Sequence, residues 1–350
     1  MSTMRAAVLH AIGDLRVEDF PKPTIVNPDD VLVQVKYNGL CGTDASEYAK
    51  SSLLVPLVNP HPNSKHQGAT VLGHEFIGTV VEAGANAQEM IGKRIACGAG
   101  VSCGECAMCK EGRTNLCAHY YTLGLSTHGG LAEYVVAPKN ICVLIPDNVS
   151  DESAALAQPL AVGIHGVRRA HVRKGDKVIL LGVGAIGSFA LVALEKIGAQ
   201  IIAMDIDQKR LDTAKELGAN QTILIPADIT PDQIKEHFPL GVDVVLETSG
   251  APGAAARALA LTKRGGNLLL MGLNKTPQDF PFAQAVLLEV EIHTTAAHVC
   301  KDDMPEALEL LASGKVAKLL TDRTFKLEDA KEAFEILSTG KATGKILIQP

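Results

Sequence analysis

The chain has 350 residues, room for two domains of ordinary size, and its 47% hydrophobic and 21% charged residues are the balance of a globular protein. A net charge of −6 and a pI near 6.0 argue against a nucleic-acid partner, which calls for clustered positive charge. No apolar run is long enough to cross a bilayer, and the opening MSTMRAAVLHAIGDLRVEDF lacks a signal-peptide layout, so a cytoplasmic protein with no membrane partner is expected.

The N-terminal stretch alternates apolar and polar residues in short runs (MRAAVLH, DVLVQVKYNG, FIGTVVEAG and AEYVVAP), punctuated by Gly, Pro, Asn and Asp. This pattern predicts strands and turns. From about Glu152 to Ala297 the texture changes. KVILLG, QIIAMD, VDVVLE and NLLLMG are continuous apolar runs, as expected of strands covered on both faces. Between them IGSFALVALEKIG, QKRLDTAKELG and APGAAARALALTKRG read as helices, each ending in a glycine stop. Strand and helix in alternation predict a doubly wound parallel sheet, an α/β fold. Two further helical patterns, MPEALELLASG and LEDAKEAFEILSTG, precede a last strand, GKILIQP.

The strand KVILL runs into Gly182-Val183-Gly184-Ala185-Ile186-Gly187 and then a helix, with Asp205 closing the next strand. In that context the glycines serve a dinucleotide. Gly182 permits a tight turn, Gly184 lets backbone approach pyrophosphate, and Gly187 lets helix and strand pack closely. The helix N-terminus faces the phosphates with free N–H groups. Asp205 is expected to accept from the ribose hydroxyls, and with Asp207 to repel a 2′-phosphate, which favours NAD over NADP. A bare structural strand–helix–strand unit is the alternative.

Four of the eight cysteines fall within fifteen residues, Cys103, Cys106, Cys109 and Cys117, spaced C-x2-C-x2-C-x7-C. In a long chain without a signal peptide this pattern reads as metal binding rather than disulfides. Four thiolates close a zinc tetrahedron and leave no open position, so this zinc is structural. The acidic chain disfavours a nucleic-acid zinc ribbon, and the spacing differs from ferredoxin runs. Upstream lie Cys41-Gly42-Thr43-Asp44 and Gly73-His74-Glu75. A thiolate, an imidazole and a nearby carboxylate make a plausible catalytic zinc set with one place left for substrate. Each fragment alone also fits an ordinary buried thiol or a structural histidine.

Together, CGTD, GHEFIGTVVEAG, CGECAMCKEGRTNLC, GGLAEYVVAP, QPLAVGIHG and GVGAIG resemble the zinc-containing medium-chain dehydrogenase/reductase superfamily almost end to end. Within it the chain is similar to the polyol and butanediol dehydrogenase branch, above all through NPHPNSKHQGATVLGHEF. The resemblance implies a GroES-like β-rich catalytic domain at residues 1–153 and 298–350, with the structural zinc lobe at 97–120, and a Rossmann NAD-binding domain at 154–297. It implies two zinc ions per chain, the catalytic one held by Cys41, His74 and Glu75. It implies NAD-linked interconversion of a secondary alcohol and its ketone, with Thr43 accepting the hydroxyl proton and passing it toward the ribose and Ser46. A cleft between the domains is expected to close on NAD.

Two positions depart from the family. Where it usually has glutamate, this chain has Gln158-Pro159-Leu160, and a neutral amide is a weak zinc ligand. Gln158 is therefore expected to face the zinc-bound water or substrate, with Glu75 as third protein ligand. Where the family often has a proton-carrying histidine stands Ser46, which is no base near neutral pH. His61 and His66 are alternative exits, set against a reading as surface-loop histidines.

Weaker matches place Thr248-Ser249-Gly250 and Gly272 along the nicotinamide, Arg210 at the adenosine ribose (or simply exposed on its helix), and Lys345 near pyrophosphate. Cys97, Cys142 and Cys300 are expected to be ordinary buried thiols. The segment Ser51–Val58 would wall the pocket with apolar groups, suiting a bulky or cyclic alcohol, or else is core. A homodimer or homotetramer is implied. The competing functions are a quinone- or enone-type reductase without catalytic zinc, and a non-enzymatic NAD-binding protein.

Overall fold

A computed structural model describes residues 2–50, 53–274 and 276–350. The chain divides into two compact units, one formed by Met1–Ala161 with Val299–Pro350, the other by Val162–His298. The division expected near residue 153 falls later, inside the helix Ala157–Arg169.

The first unit is built on a seven-stranded sheet. Neighbours run Cys142–Leu144, Arg94–Cys97, Glu75–Ala83, Asp30–Gly39, Lys345–Gln349 and Thr321–Lys326, and Tyr134–Pro138 also pairs with Asp30–Gly39. The strand Asp30–Gly39 buries Val31, Val33, Val35 and Tyr37 on one face, with Gln34 and Lys36 exposed between them, while Leu32 and Asn38 are buried as well. Its register decides what surrounds its last residues. Gly39 lies opposite Glu75 on one side and Leu347 on the other, so the C-terminal strand reaches the edge of the Cys41 turn. A Cβ on Gly39 would collide with the Glu75 carboxylate, so only glycine fits there. A smaller sheet orders Asp14–Pro21, Thr3–Ala11 and Thr70–Val71. Between the layers lies an apolar core that includes Leu9, Leu40, Leu72, Phe334 and Ile346. Tyr48 and Phe334 meet there edge to face, with centroids 5.5 Å apart.

The second unit is a six-stranded parallel sheet. Its order is Gln221–Leu224, Gln200–Asp205, Lys177–Leu181, Val242–Glu247, Thr262–Leu270 and Glu291–Thr294. Counted within the unit this is 3-2-1-4-5-6, the doubly wound dinucleotide-binding order, with its switch point between the first and fourth strands. The four apolar runs singled out in the sequence form the four inner strands. The two edge strands carry no such run, because their residues are half-buried or exposed. Two predicted helices end as expected, at Gly198 with φ +80° and at Gly218 with φ +120°. The third does not. It stops at Leu261, and Thr262, Lys263 and Arg264 open a strand whose register shifts around Gly265, so this glycine serves a bulge rather than a helix stop.

Candidate metal and dinucleotide sites

Cys41 caps the helix Gly42–Ala49 and lies beside two buried groups, His74, just before the strand Glu75–Ala83, and Glu75, its first residue. The possible ligand atoms of the three all lie within 4.8 Å of one another. Asp44, fully buried, ties the cluster together. Its Oδ2 accepts from the Cys41 N–H at 2.9 Å, and its Oδ1 lies 3.3 Å from His74 Nδ1. That leaves His74 Nε2 for a metal, the arrangement in which a carboxylate fixes the tautomer of a ligating imidazole. Burial by itself would lower the His74 pKa, but Asp44 and then Cys41 outweigh it and hold it well above the usual value. A metal must displace that proton, so binding at this cluster releases protons. One thiolate, half-exposed, with one imidazole and one carboxylate, both buried, lie in reach of each other and fit zinc with a fourth position left open.

Behind Glu75 stands Lys345. Its ammonium is buried, donates to Leu40 O at 2.9 Å and to Glu75 Oε1 at 2.6 Å, and also touches Glu75 Oε2. The sequence expectation for Lys345, a cation beside pyrophosphate, is corrected here. Its charge is neutralised by Glu75 within the metal cluster, because the strand register brings the C-terminal strand to Gly39. Thr43 Oγ1 lies 3.7 Å from Cys41 Sγ. Thr43 and Ser46 are half-buried on the same helix, and Gln158 is half-buried in the first turn of Ala157–Arg169.

The two candidate proton carriers hold loops. His61 Nδ1 accepts from the Asn63 and Ser64 N–H groups, while His66 Nε2 lies 2.8 Å from Thr70 Oγ1 and its ring stacks edge-on to His128. Of the expected apolar wall, Ser51 and Ser52 lie outside the described residues, and Val55 is core. Leu53, Leu54 and Val58 are exposed and, with Ile12, line a groove of about 700 Å³. Glu47 anchors that segment by accepting from the Leu54 and Val55 N–H groups.

The four-cysteine lobe gathers Cys103, Cys106, Cys109 and Cys117, again within 4.8 Å. Cys106 and Cys109 sulfurs are 3.6 Å apart, Cys103 and Cys117 sulfurs 3.5 Å. A zinc tetrahedron with 2.3 Å bonds has edges of about 3.8 Å, whereas a disulfide is about 2.05 Å. Backbone N–H groups of Ala118 and Cys109 pull the Cys106 thiol down to about 6, while burial and the neighbouring Cys106 push Cys109 up to about 11. The lobe fits the ion.

In the second unit Gly182 has φ +93°, and a Cβ on Gly187 would strike Gly182 O at 2.2 Å. Gly184 opens on free space at the N-terminus of the helix Ala185–Ile197, where a phosphate would approach the N–H groups of Ala185 and Ile186. Asp205, nearly buried, accepts from the Val183 N–H at 2.7 Å and the Asp207 N–H at 3.0 Å, so it also shapes the glycine turn. Arg210 reaches to 3.9 Å of Asp205 while staying partly exposed. Glu247 escaped sequence reasoning. Buried at the end of its strand, it accepts from Ser249 N, Ser249 Oγ and Gly250 N, and its own carbonyl accepts from Gly272 N. It thereby holds Thr248-Ser249-Gly250 against Gly272, and the acid closing VDVVLE was the available signal.

Residues 27–147 match the alcohol dehydrogenase GroES-like domain, and residues 185–313 match the zinc-binding dehydrogenase domain. The chain is 35% identical to the L-idonate 5-dehydrogenase of Vitis vinifera, over 98% of this chain and 93% of that one. The chain belongs to the zinc-containing medium-chain dehydrogenase/reductases, in their polyol dehydrogenase-like branch. As a member of this family it is an alcohol dehydrogenase. It is also 35% identical to the sorbitol dehydrogenase of Bacillus subtilis, over 95% of this chain and 93% of the relative. The crystal structure of 2R,3R-butanediol dehydrogenase from Bacillus subtilis superposes with a TM-score of 0.89 at 30% identity, covering 99% of each chain. The two-part α/β architecture, GroES-like and Rossmann-like, is that of the family. Among the described residues no helix is long and apolar enough to cross a membrane.

Proposed function

We propose that this alcohol dehydrogenase uses NAD and two zinc ions, one held by Cys41, His74 and Glu75, the other by Cys103, Cys106, Cys109 and Cys117, to interconvert a secondary alcohol and its ketone. The observation that carries the reading is the Cys41–His74–Glu75 cluster, its histidine and glutamate buried, with Asp44 beside the imidazole. Bound there, zinc supplies Lewis acidity that lowers the pKa of an alcohol. Thr43, close to Cys41, takes the hydroxyl proton and hands it toward Ser46. Gln158 offers an amide to the substrate oxygen and adds no negative charge. The Lys345 ammonium offsets the charge of Glu75, so the cluster keeps less net anion than its ligands alone would give.

NAD is favoured over NADP by the negative charges of Asp205 and Asp207, which would repel a 2′-phosphate on the adenosine ribose. Ser249, Gly250 and Gly272 would line the nicotinamide, which when bound would supply the hydride acceptor for the alcohol. Relatives named for idonate, sorbitol and butanediol support a polyol or diol substrate. A bulkier apolar alcohol is the second reading; the groove at Leu53, Leu54 and Val58 includes none of the metal-cluster residues and lends it no support. The zinc-free reductase and the non-enzymatic protein leave the buried ligand cluster without a purpose. A homo-oligomer is supported by the outer edge of Glu291–Thr294, beside which Phe282, Val286 and Leu287 are exposed. Eight cysteines, all free thiols, suit a reducing cytoplasm.

The test is elemental analysis before and after mild chelation, followed by NAD reduction with a panel of sorbitol, xylitol, 2,3-butanediol and cyclohexanol. Two zincs, one readily removed along with activity, are expected. A single tightly held zinc and no NAD reduction by any alcohol would overturn the reading.

A further inference from the structure

Three cysteines lie outside both metal clusters, and the fold gathers them. Cys97 ends one strand and Cys142 begins its antiparallel neighbour, directly opposite each other in the register. The ladder fixes the kind of pair. Gly98 N donates to Ile141 O and Ile145 N donates to Arg94 O, so the hydrogen-bonded positions are 98/141 and 94/145. Pairs alternate along an antiparallel ladder, which makes Cys97/Cys142 a non-hydrogen-bonded pair. Such pairs bring Cα atoms to about 4.5 Å with both side chains on one face, inside the range a disulfide spans. Cys300, first residue of the helix Cys300–Leu311, adds a third thiol. Its sulfur donates to Ile141 O, the residue before Cys142. All three are buried and reduced.

We propose that Cys97 and Cys142 are a latent cross-strand disulfide, formed by peroxide, that staples the base of the four-cysteine lobe. The bond would close residues 98–141 into a covalent loop, and that loop contains Cys103, Cys106, Cys109 and Cys117. The step balances with one hydrogen peroxide. It oxidises one thiol to a sulfenic acid and leaves as water; the second sulfur then attacks, the S–S bond forms, and a second water departs. A small neutral oxidant suits the site, since burial, with Cys142 alongside, raises the Cys97 thiol well above the ordinary range. Burial likewise pushes Cys300 up to about 12. Both stay protonated at neutral pH, so the reaction is slow and waits on local opening.

The experiment exposes the full-length, zinc-loaded protein to hydrogen peroxide, blocks remaining thiols, and maps linked peptides by mass spectrometry. A Cys97–Cys142 link that dithiothreitol removes is expected, together with a rise in Tm of several degrees from the closed loop. Cys142→Ser is expected to lose the link and the rise, and Cys300→Ser to keep both. A Cys97–Cys300 link, bridges confined to the four-cysteine lobe, or a Cys97–Cys142 link without a gain in Tm would each overturn the proposal. The wild-type peptide map decides the pairing even where a variant fails to fold.

Discussion

Lys345 shows how one side chain takes its role from its surroundings. An ammonium without water is costly, yet here it meets the Glu75 carboxylate and a backbone carbonyl. Burial alone would lower its pKa; Glu75 above all, then Cys41 and Asp44, raises it above the usual 10.5. A raised folded pKa means the stabilisation is fully present at neutral pH and is lost only as pH climbs past the lysine range. Lys345→Met strands Glu75 as a lone buried anion and should cost roughly 3–5 kcal/mol. Urea unfolding after mild chelation, with the Cys41–His74–Glu75 cluster free of metal, measures this, and the double variant with Glu75→Gln should recover much of the loss. A single variant within about 0.5 kcal/mol of wild type would show the pair to be ornamental. The residue itself was visible in GKILIQP, but nothing near it in sequence named Glu75 as its partner.

At the scale of elements, the pattern located inner strands and helix ends because their causes are local. Continuous apolar runs reflect burial on both faces, and Gly198 and Gly218 take positive φ. Asp207 is a second local signal. Its side chain accepts from the Lys209 and Arg210 N–H groups and caps the helix Gln208–Leu217, a role distinct from the charge repulsion first assigned to it. Asp207→Ala is expected to destabilise the protein by about 1 kcal/mol, read as a lower urea midpoint, whereas Asp207→Asn should retain most of the cap. Equal losses in both variants would mean that the cap contributes little. The strands at the two sheet edges and the early end of the helix Ala254–Leu261 were not legible. Their boundaries depend on which neighbour the chain pairs with, and pairing is not written in a short window.

For the whole molecule the two units differ in what holds them. Each has its own apolar core, one around Leu9 and Phe334, the other around Ile179 and Leu268. The four-cysteine lobe has none to speak of, since no residue of its short helices Ala107–Lys110 and Thr114–Leu116 is buried. Metal coordination must supply what packing does not. Strong chelation should therefore raise backbone hydrogen exchange across residues 97–120 while the strand Lys177–Leu181 keeps its protection. Uniform exchange, or a lobe still protected without metal, would contradict this account.

The sequence alone determined the doubly wound unit, the glycine turn with Asp205, and the four-cysteine lobe, because each is contiguous chemistry whose spacing carries its geometry. Cys41, His74 and Glu75 were readable from their residue types as a plausible zinc set, but each fragment was ambiguous alone and the family resemblance joined them. The tertiary structure decided the rest: Asp44 on His74, Lys345 on Glu75 across 270 residues of chain, Glu247 under the Ser249 turn, and Cys97 opposite Cys142. These are pairings of buried groups. A buried charge or thiol is defined by what the register of distant strands sets beside it, and register emerges only when the sheets are assembled.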